Sequence, residues 1–466
     1  MKLSFLGANR QVTGSRYCLE AAGSKIMIDC GMVQERAYLS RNWDPCPVPA
    51  NEFDALLLTH VHIDHCGLTP KLVHEGFRGG IYATGASADL AEIVLRDSAH
   101  IQVEDAAYKN RRHQKEGRRG KYPVVPLYTQ EDVEETLPLF QPTSYSTPVK
   151  INDAFTVTFH DAGHILGSAM IEVLATEGDV TRRVVFSGDV GQRDKPLIRD
   201  PTLFDQADYV IIESTYGDRD HTDGGDIETQ LCDVINKTLS RGGFVVVPTF
   251  AVERAQEMMY HISRLVHADR IPDIDVSLDS PMAVDVTAIF RKHRECFDDE
   301  TWELIAADEP PLKFPGLRLV RSVEESKAIN AAKVPSIIMA TSGMCTAGRI
   351  KHHLKRHIGR AENTILFIGY QGRGTLGRRI LEGEPEVRIH GKTHRVRAHI
   401  EQIHGFSGHA DRAALLRWLG NLREPPRRVF VTHGEEEASL AMAQIIDQEM
   451  KWPVHVPVYE ESVDLD

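Results

Sequence analysis

The segment ALLLTHVHIDHCG, residues 55–67, joins a short apolar run to a cluster of His and Asp side chains. The apolar run predicts a buried strand, and the polar cluster begins where this strand ends. His60 and His62 are two residues apart, so an extended turn points both to the same side. Asp64 and His65 then face a second position. Imidazole and carboxylate groups are the ligands that Zn²⁺ accepts where thiolates are absent, so this loop predicts ligands for two metal ions.

The composition is that of a soluble globular enzyme, with 42% apolar and 26% charged residues. A length of 466 residues exceeds one ordinary hydrophobic core, so we expect two or three domains. The chain has no apolar run near the roughly 20 residues that a membrane span needs. Its first residues also lack the apolar region and the cleavage site of a signal peptide. These features predict a cytoplasmic protein without a membrane partner.

The cysteines and the net charge exclude some classes of chemistry. Seven cysteines are scattered along the chain without a CxxC pair. This predicts reduced thiols rather than a disulfide framework or a cysteine zinc site. The formal net charge of -13 argues weakly against attraction of nucleic acid by the whole surface. Contact with nucleic acid therefore requires a local patch.

Residues 108–121, with the sequence YKNRRHQKEGRRGK, are a candidate for such a patch. They carry seven Lys or Arg side chains against one Glu. Because the segment contains two glycines and no apolar period, we predict an exposed basic loop. Two roles stay open for it: a solvated surface loop, or a segment that contacts phosphate groups.

Short apolar strand candidates alternate with helical stretches along most of the chain. The strand candidates are residues 25–28, 55–58, 155–159, 184–186, 209–212, 244–247, 336–339, 364–368 and 428–431. The helical candidates are residues 86–104, 227–239, 252–265, 347–358 and 435–448. This alternation predicts an α/β fold.

Four further polar residues follow apolar strand candidates, as the HxHxDH cluster does. They are His164, Asp189, Glu213 and His433. Because sheet topology gathers strand ends at one edge, residues far apart in sequence can share a metal ion there. Each residue alone has an alternative role as a helix cap or a core side chain. The set together favours metal binding.

The motifs of this chain, taken in order, resemble one enzyme family. They are HxHxDH at residues 60–65, GHILGS at 163–168, SGD at 187–189, ESTYG at 213–217, FSGHAD at 406–411 and VTHGE at 431–435. This set is similar to the β-CASP branch of the metallo-β-lactamase superfamily. That branch includes the endonuclease subunit of the eukaryotic pre-mRNA cleavage and polyadenylation machinery and related bacterial and archaeal ribonucleases. The resemblance runs from Gly7 to at least His433.

The resemblance implies a metallo-β-lactamase αββα sandwich with an inserted α/β β-CASP domain. We expect the first part of the metallo-β-lactamase domain at residues 1–217 and the β-CASP domain at residues 218–398. The metallo-β-lactamase domain would then be completed by residues 399–466. One departure from the family pattern is Gly408, where many relatives have Ala.

The resemblance also implies a set of metal ligands for two Zn²⁺ per chain. One zinc would be held by His60, His62 and His164. The other would be held by Asp64, His65 and His433. Asp189 would bridge the two ions. Glu213, His409 and His433 match the three accessory motifs of the family.

The function that this similarity implies is that of a zinc-dependent ribonuclease. A hydroxide activated by two metal ions would attack the phosphodiester bond and leave a 5′-phosphate and a 3′-hydroxyl. We expect His409 to be the general acid for the leaving 3′-oxygen and Glu213 to orient its imidazole. Asp64 counts among both the catalytic residues and the ligands. The expected partner is single-stranded RNA.

Two loops of the β-CASP domain are candidates for substrate binding. Ser342, Gly343 and Met344 lie in a glycine-containing turn before a helix, whose backbone N–H groups can hold a phosphate. Arg349 and His352 add charge beside this turn. A second glycine-containing loop follows at residues 371–375, and Arg373 is its candidate phosphate ligand.

Several alternatives stay open. A 5′-exoribonuclease and a DNA nuclease of the same family share these motifs, although the third-motif His433 favours RNA. We prefer endonucleolytic cleavage because the chain shows neither the long C-terminal extension of RNase J-type enzymes nor an N-terminal RNA-binding module. A small-molecule metallohydrolase would not need the insertion, and a non-catalytic RNA-binding subunit would lack metal ligands. The oligomeric state is open, with a homodimer as one alternative.

Overall fold

The computed structural model describes residues 1–117, 124–221, 225–372 and 374–466, which form two compact units. The first unit comprises Met1–Arg193, Asp200–Asp220 and His409–Asp466. The second unit comprises Asp194–Arg199 and His221–Gly408. The short segment Asp194–Arg199 lies with the second unit because Ile198 pairs with Phe297 across an isolated bridge.

Two sheets form the first unit in the described part of the chain. The first sheet has the strand order Glu461–Asp464, Lys2–Gly7, Arg16–Ala21, Ser24–Ile28, Ala55–Leu57, Gly80–Thr84 and Phe140–Thr143. The second sheet has the order Val454–His455, Arg428–Val431, Tyr209–Ile212, Val180–Phe186, Ala169–Glu177, Phe155–Asp161 and Val149–Lys150. Both sheets are mixed, with parallel strands where a helix or a longer connection intervenes.

The core of the first unit lies between these two sheets. On the strand Phe155–Asp161 the side chains of Phe155, Val157 and Phe159 are buried, whereas the residues between them are half-buried. This alternation follows from the period of two in a strand, which turns one face to the core. Phe5 of the first sheet belongs to the same cluster. Each such Phe contributes about 1.5–3 kcal/mol by burial.

Helices cover the outer faces of the sandwich, which makes an αββα arrangement. They are Ile63–Cys66, Thr69–His74, Gly85–Glu116, Gln130–Thr136, Arg412–Leu419 and Glu436–Ile445. Trp418 and Leu419 pack with Val429 and Val431 on the outer face of the second sheet. The predicted fold class is therefore confirmed for this unit.

The helix Gly85–Glu116 corrects one prediction of the sequence analysis. Residues 108–116, predicted as part of a basic loop, continue this helix. Thr84 caps its start by accepting a hydrogen bond from Ser87 N, and Gly117 ends it with a positive φ of 63°. No Gly or Pro interrupts residues 86–116, and the Lys, Arg, Gln and Glu of the charged run are good helix formers. The remainder of the predicted loop, from residue 118, lies outside the described residues.

The second unit is an α/β layer structure. Its larger sheet has the order Leu317–Val320, Val276–Asp279, Ile337–Ala340, Val245–Pro248, Thr364–Phe367 and His399–Gln402, with every pairing parallel. A hairpin joins Glu386–Ile389 to Lys392–Arg395. The helices are Ile227–Ser240, Arg254–His267, Pro281–Lys292, Asp299–Ala306, Val323–Ala331, Ile350–His357 and Leu376–Leu381. The buried parallel strands explain the continuous apolar runs that the sequence shows here.

The parallel strands of the first unit end at the same edge of the sandwich. In the first sheet Ile28 pairs with Leu57. In the second sheet Ile212 pairs with Val431. The residues that follow these two, Glu213 and Thr432, are polar. A hydrogen bond from His433 N to Ala8 O (2.8 Å) links the ends of the two sheets. In the described part of the chain no helix is long and apolar enough to cross a membrane.

Candidate metal centre

The HxHxDH loop follows the strand Ala55–Leu57, with Leu58 and Thr59 between the strand and His60. His60 is fully buried, and a short helix, Ile63–Cys66, carries Asp64 and His65. This helix is stabilised at its start by hydrogen bonds from the N–H groups of His65 and Cys66 to the carbonyl of His62. The loop therefore presents its four ligand-type side chains from an extended turn and the first turn of a helix.

A first cluster joins His60, His62, His164 and Asp189. His62 Nδ1 lies 3.1 Å from Nε2 of both His60 and His164. Asp189 Oδ2 lies 3.4 Å from the same two Nε2 atoms. The ligand atoms of all four residues lie within 4.8 Å of one another. These are the residues to which the family resemblance assigns the first zinc position and the bridging carboxylate.

A second cluster joins Asp64, His65 and His433. His65 Nε2 lies 3.1 Å from His433 Nε2, which in turn lies 3.7 Å from Asp64 Oδ2. The other oxygen of Asp189, Oδ1, lies 3.2 Å from His65 Nε2 and 3.6 Å from His433 Nδ1. One carboxylate thus turns one oxygen to each cluster.

The donor atoms of both clusters fit a metal ion of the zinc type. Two nitrogen ligands at about 2.0 Å from one tetrahedral Zn²⁺ lie about 3.3 Å from each other, close to the distances between these imidazoles. Asp189 is 2% exposed, and its Oδ1 accepts no hydrogen bond from any described residue. A buried carboxylate oxygen without a donor is costly unless a cation satisfies it. The residues present therefore fit a metal.

Burial sets the charge of the first cluster. It lowers the pKa of His60 to about 3 and that of His62 to about 4. It also holds the pKa of His164 well below its usual value. All three imidazoles are therefore neutral at pH 7, the form whose free lone pair can bind a metal.

Carboxylates set the charge of the second cluster. Burial opposes the charged form of His65, but Asp189 and Asp29 outweigh it and hold the pKa of His65 well above its usual value. Burial likewise opposes charge on His433, and Asp189 leads the groups that nevertheless raise its pKa. The pKa of Asp189 itself lies well below its usual value, because the surrounding imidazoles outweigh burial. In the protein alone, protons on these imidazoles balance the buried negative charge.

His409 lies beside both clusters and is paired with Glu213. Its Nδ1 lies 3.2 Å from Glu213 Oε2 and 3.8 Å from Asp189 Oδ2. Glu213 is 1% exposed, and its Oε1 accepts a hydrogen bond from Val190 N (2.7 Å), which fixes the carboxylate. Burial opposes charge on His409, but Glu213 and then Asp189 raise its pKa to about 9. At pH 7 this imidazole is a proton donor.

The structure places five of the six predicted substrate-binding residues in the second unit. Ser342 Oγ accepts hydrogen bonds from backbone N–H groups within its own turn. The carbonyls of Gly343 and Met344 accept hydrogen bonds from the second predicted loop and from the N–H of Gly377 after it. His352 is exposed, and its ring lies 4.6 Å from that of His390. The predicted loops are thus neighbours.

Arg349, which is predicted to add charge beside this turn, is already paired within the second unit. Its guanidinium donates from Nη1 to Asp279 Oδ1 (2.6 Å) and from Nη2 to the carbonyl of Arg321 (2.7 Å). Asp279 is fully buried, so this ion pair belongs to the interior of the second unit. Any phosphate would have to share Arg349 with these partners. Arg373 lies outside the described residues.

Asp29, a buried carboxylate in contact with the second cluster, is not among the residues that the sequence predicts for this site. Its Oδ2 lies 2.7 Å from His65 Nδ1. A signal was present, since Asp29 follows the strand Ser24–Ile28 directly, as Glu213 follows its own strand. The signal is weak because no His and no second carboxylate stands directly beside Asp29 in the sequence.

The sandwich fold and its His and Asp clusters define a metal-dependent hydrolase of the metallo-β-lactamase type. Three known domain families match the chain: a metallo-beta-lactamase superfamily domain at residues 18–205, a Beta-Casp domain at 255–380, and a Zn-dependent metallo-hydrolase RNA specificity domain at 393–457.

Curated relatives span nearly the whole chain. Ribonuclease TTHA0252 of Thermus thermophilus is 40% identical over 96% of both chains. Transcription termination factor FttA of Methanosarcina mazei is 33% identical over 100% of this chain and 72% of its own length. An RNase J-like protein of Methanocaldococcus jannaschii is 28% identical over 98% of both chains. The chain belongs to the β-CASP branch of the metallo-β-lactamase superfamily.

A solved structure has the same overall fold. It is a protein of unknown function from Enterococcus faecalis, with a TM-score of 0.58 and 9% sequence identity. The match covers 100% of this chain and 99% of the other. At this identity the likeness extends to the fold alone.

Proposed function

We propose that this protein is a zinc-dependent ribonuclease that binds two Zn²⁺ and cuts single-stranded RNA endonucleolytically. The products would carry a 5′-phosphate and a 3′-hydroxyl. The observation that carries the proposal is the position of Asp189, which offers one buried oxygen to each of two ligand clusters. A single-metal hydrolase would need only one of these clusters.

The proposed ligands divide between the two ions. His60, His62 and His164 would hold one zinc, and Asp64, His65 and His433 the other. Asp189 would bridge them. When bound, two such ions supply a nucleophilic water of near-neutral pKa and neutralise charge on the phosphoryl oxygens. Asp64 would contribute to catalysis through its ion.

The proton for the leaving 3′-oxygen is assigned to His409. Its raised pKa of about 9 keeps the imidazole protonated at pH 7. Glu213 accepts from Nδ1, so it holds the ring and leaves Nε2 as the atom that gives the proton. Because Val190 N fixes Glu213, the donor ring is held in place before substrate arrives.

RNA is the proposed substrate for two reasons. The family that matches residues 393–457 is described as an RNA specificity domain, and two of the relatives carry ribonuclease names. Ser342, Gly343, Met344 and His352 stay candidates for phosphate contact. Arg373 is a further candidate, as are the N–H groups of Arg349 that donate to neither Asp279 nor Arg321. A cytoplasmic location is part of the proposal, because all seven cysteines are free thiols.

Circular RNA tests the function and its mode together. Purified zinc-loaded protein should linearise a closed single-stranded RNA circle, which offers no end to an exonuclease. Chelator and the variant Asp189→Asn should abolish the cleavage. A product that resists 5′-phosphate-dependent digestion would contradict the proposed end chemistry. Cutting only of linear RNA would establish the exonuclease alternative, and cutting only of DNA circles would establish the DNA nuclease.

A further inference from the structure

The helix Gly85–Glu116 carries opposite charges in its two parts. Residues 85–107 contain five Asp or Glu side chains and one Arg, whereas residues 108–116 contain four Lys or Arg and one Glu. We call residues 108–116 the basic arm. The helix dipole favours cations only in the last turn. Of the four cations only Lys115 lies there, so the dipole does not account for Lys109, Arg111 and Arg112.

The basic arm projects into solvent. Residues 108–112 are all exposed, and five consecutive residues span more than one full turn of a helix. In the described part of the chain, therefore, no face of the helix is buried there. Asn110 Nδ2 donates to the carbonyl of Val124 (2.9 Å), and the N–H of Gly117 closes the last turn on the carbonyls of His113 and Gln114. These bonds hold the arm in a defined conformation.

One face of the arm combines an aromatic ring with cations. Four side chains at helical spacings of three and four residues share this face: Tyr108, Arg111, Arg112 and Lys115. Tyr108 is 60% exposed. Arg112 pairs with Glu116 (3.0 Å), but among the described residues Lys109, Arg111 and Lys115 have no carboxylate partner. Unpaired cations fit the phosphates of a nucleic acid, and an exposed ring fits its bases.

The same helix begins at the metal centre. Thr84 Oγ1 and Ser87 Oγ donate to the carbonyl of Gly167 (2.6 and 2.8 Å). Gly167 belongs to the motif that carries the ligand His164, and Ser168 Oγ accepts a hydrogen bond from His164 N (3.1 Å). The start of the helix is therefore fixed to a ligand loop of the first cluster.

The length of the helix separates the arm from the metal centre. Because an α-helix rises 1.5 Å per residue, the basic arm lies about 40 Å from the start of the helix. One strand of a duplex has a phosphate about every 3.4 Å, so this distance corresponds to about 12 phosphates at that spacing. A strand of only a few nucleotides cannot reach both places, whereas a long strand can.

We propose that the basic arm is a second RNA-binding site, which holds one part of a single-stranded RNA while another part lies at the metal centre. The unpaired cations contact phosphates, and Tyr108 stacks on a base. Attachment at two points tightens the binding of long strands only, because the second contact is then intramolecular. The choice of RNA as the ligand rests on the proposed function. Single-stranded DNA carries the same phosphates and is compared with RNA in the test.

Binding of fluorescent RNA to the full-length chain, measured in chelator so that the strand stays intact, tests the arm. In the triple variant Lys109→Gln, Arg111→Gln, Lys115→Gln, three phosphate contacts are lost. For an RNA of about 40 nucleotides, the slope of log affinity against log salt should fall by about 2, since each contact to a single strand contributes about 0.7. The loss of affinity should therefore be about 20-fold greater at 50 mM salt than at 200 mM. An RNA of about four nucleotides should bind both proteins equally.

A second triple variant is the matched control for net charge. It changes three exposed cations elsewhere on the same unit: Lys2→Gln, Lys150→Gln and Arg423→Gln. This control should keep the wild-type salt slope. Gln is a good helix former, so the arm variant should keep its helix, which far-UV circular dichroism checks.

Replacement of Tyr108 tests the stacking contact. Tyr108→Ala should weaken the binding of long RNA about 5-fold or more and leave the salt slope unchanged, because stacking involves no counterion release. Tyr108→Phe keeps the ring and should bind as wild type does. Equal affinities of the wild type and Tyr108→Ala would overturn the stacking contact.

Cleavage by the zinc-loaded enzyme tests the consequence for turnover. The arm variant should raise KM for the long RNA and leave kcat unchanged, because the arm lies far from the reacting bond. Both constants should be unchanged for the short RNA. Equal rises in KM for the two lengths would overturn the assignment of the arm to a distant part of the strand.

The binding results separate this proposal from the proposed function. An unchanged salt slope in the folded arm variant, or an equal change in the control variant, would overturn the arm even in a protein that cleaves RNA. A loss of affinity for single-stranded DNA but not for RNA would overturn the assignment to RNA. The predicted slopes in a protein without RNA cleavage would support the arm and refute only the catalytic function.

Discussion

Replacement of His409 by Ala separates general-acid catalysis from metal binding. His409 Nδ1 is directed to Glu213 Oε2 at 3.2 Å and lies 3.8 Å from Asp189 Oδ2. The Nε2 atoms of His60 and His65 lie closer to the Asp189 carboxylate, at 3.4 Å and 3.2 Å. The variant should therefore keep both zinc ions. Loss of a positioned general acid costs about 10²- to 10⁴-fold in rate. This corresponds to about 3–5 kcal/mol of transition-state stabilisation.

Two substrates with different leaving groups distinguish loss of the general acid from other effects of the substitution. RNA expels an alkoxide that needs a proton, whereas a nitrophenyl phosphodiester expels an anion that is stable without one. We expect His409→Ala to lose most of kcat on RNA and little on the nitrophenyl ester, at unchanged zinc content. His100→Ala is the control, because that imidazole is 64% exposed on the surface of the same unit. An equal loss on both substrates, full activity on RNA, or loss of zinc would refute the acid role.

Three further substitutions test the site and the second unit. Gly188→Ala should weaken zinc binding, because the new Cβ would lie 2.8 Å from Thr59 Cβ. Gly178→Ala is the control: Gly178 also has a positive φ, but a Cβ there would have no atom within 4 Å, so the substitution should cost only about 1–2 kcal/mol of stability. Asp279→Asn breaks a buried ion pair and should destabilise the second unit by about 3–5 kcal/mol in urea unfolding, whereas the exposed Asp285→Asn should cost under about 1 kcal/mol. Burial alone would raise the pKa of Asp279, but hydrogen bonds to its carboxylate lower it overall. The stabilisation by ionised Asp279 is therefore present above the pKa of the unfolded chain, about 3.9, and should be lost as the pH falls below that value. Glu213→Gln should shift the loss of kcat at alkaline pH to a lower pH. Glu213 raises the pKa of His409 to about 9, so without this carboxylate His409 would lose its proton nearer 6.5. An unchanged pH profile would contradict the pairing of His409 with Glu213.

The α/β class and the approach of the ligand-type residues could be predicted because each depends on local pattern. Every predicted strand, from residues 25–28 to 428–431, overlaps a strand of the structure. The ligand-type residues follow strand ends, and the parallel pairings of Ile28 with Leu57 and of Ile212 with Val431 bring those ends together. Short spacing and strand periodicity are visible in sequence without knowledge of tertiary contacts.

Other features depend on contacts between distant residues, and the sequence did not reveal them. Arg349 is predicted to add charge beside a phosphate-binding turn, and its ion pair with Asp279, 70 positions away, is not visible in the sequence. Asp29 contacts His65, which lies 36 positions further along the chain, and no local sequence pattern predicts that contact. The sequence predicts a helix only at residues 86–104, because a charge run without apolar period favours a loop, whereas the structure continues this helix to Glu116. A helix that leaves its supporting sheet needs good helix formers rather than an apolar stripe.

The proposed mechanism requires two metal ions that share Asp189. Anomalous X-ray diffraction at the zinc edge, from crystals of protein purified without added chelator, measures this directly. We predict two peaks, one within bonding distance of His60, His62 and His164 and one within bonding distance of Asp64, His65 and His433. A single peak, a second peak remote from Asp189, or no peak in catalytically active protein would contradict the account.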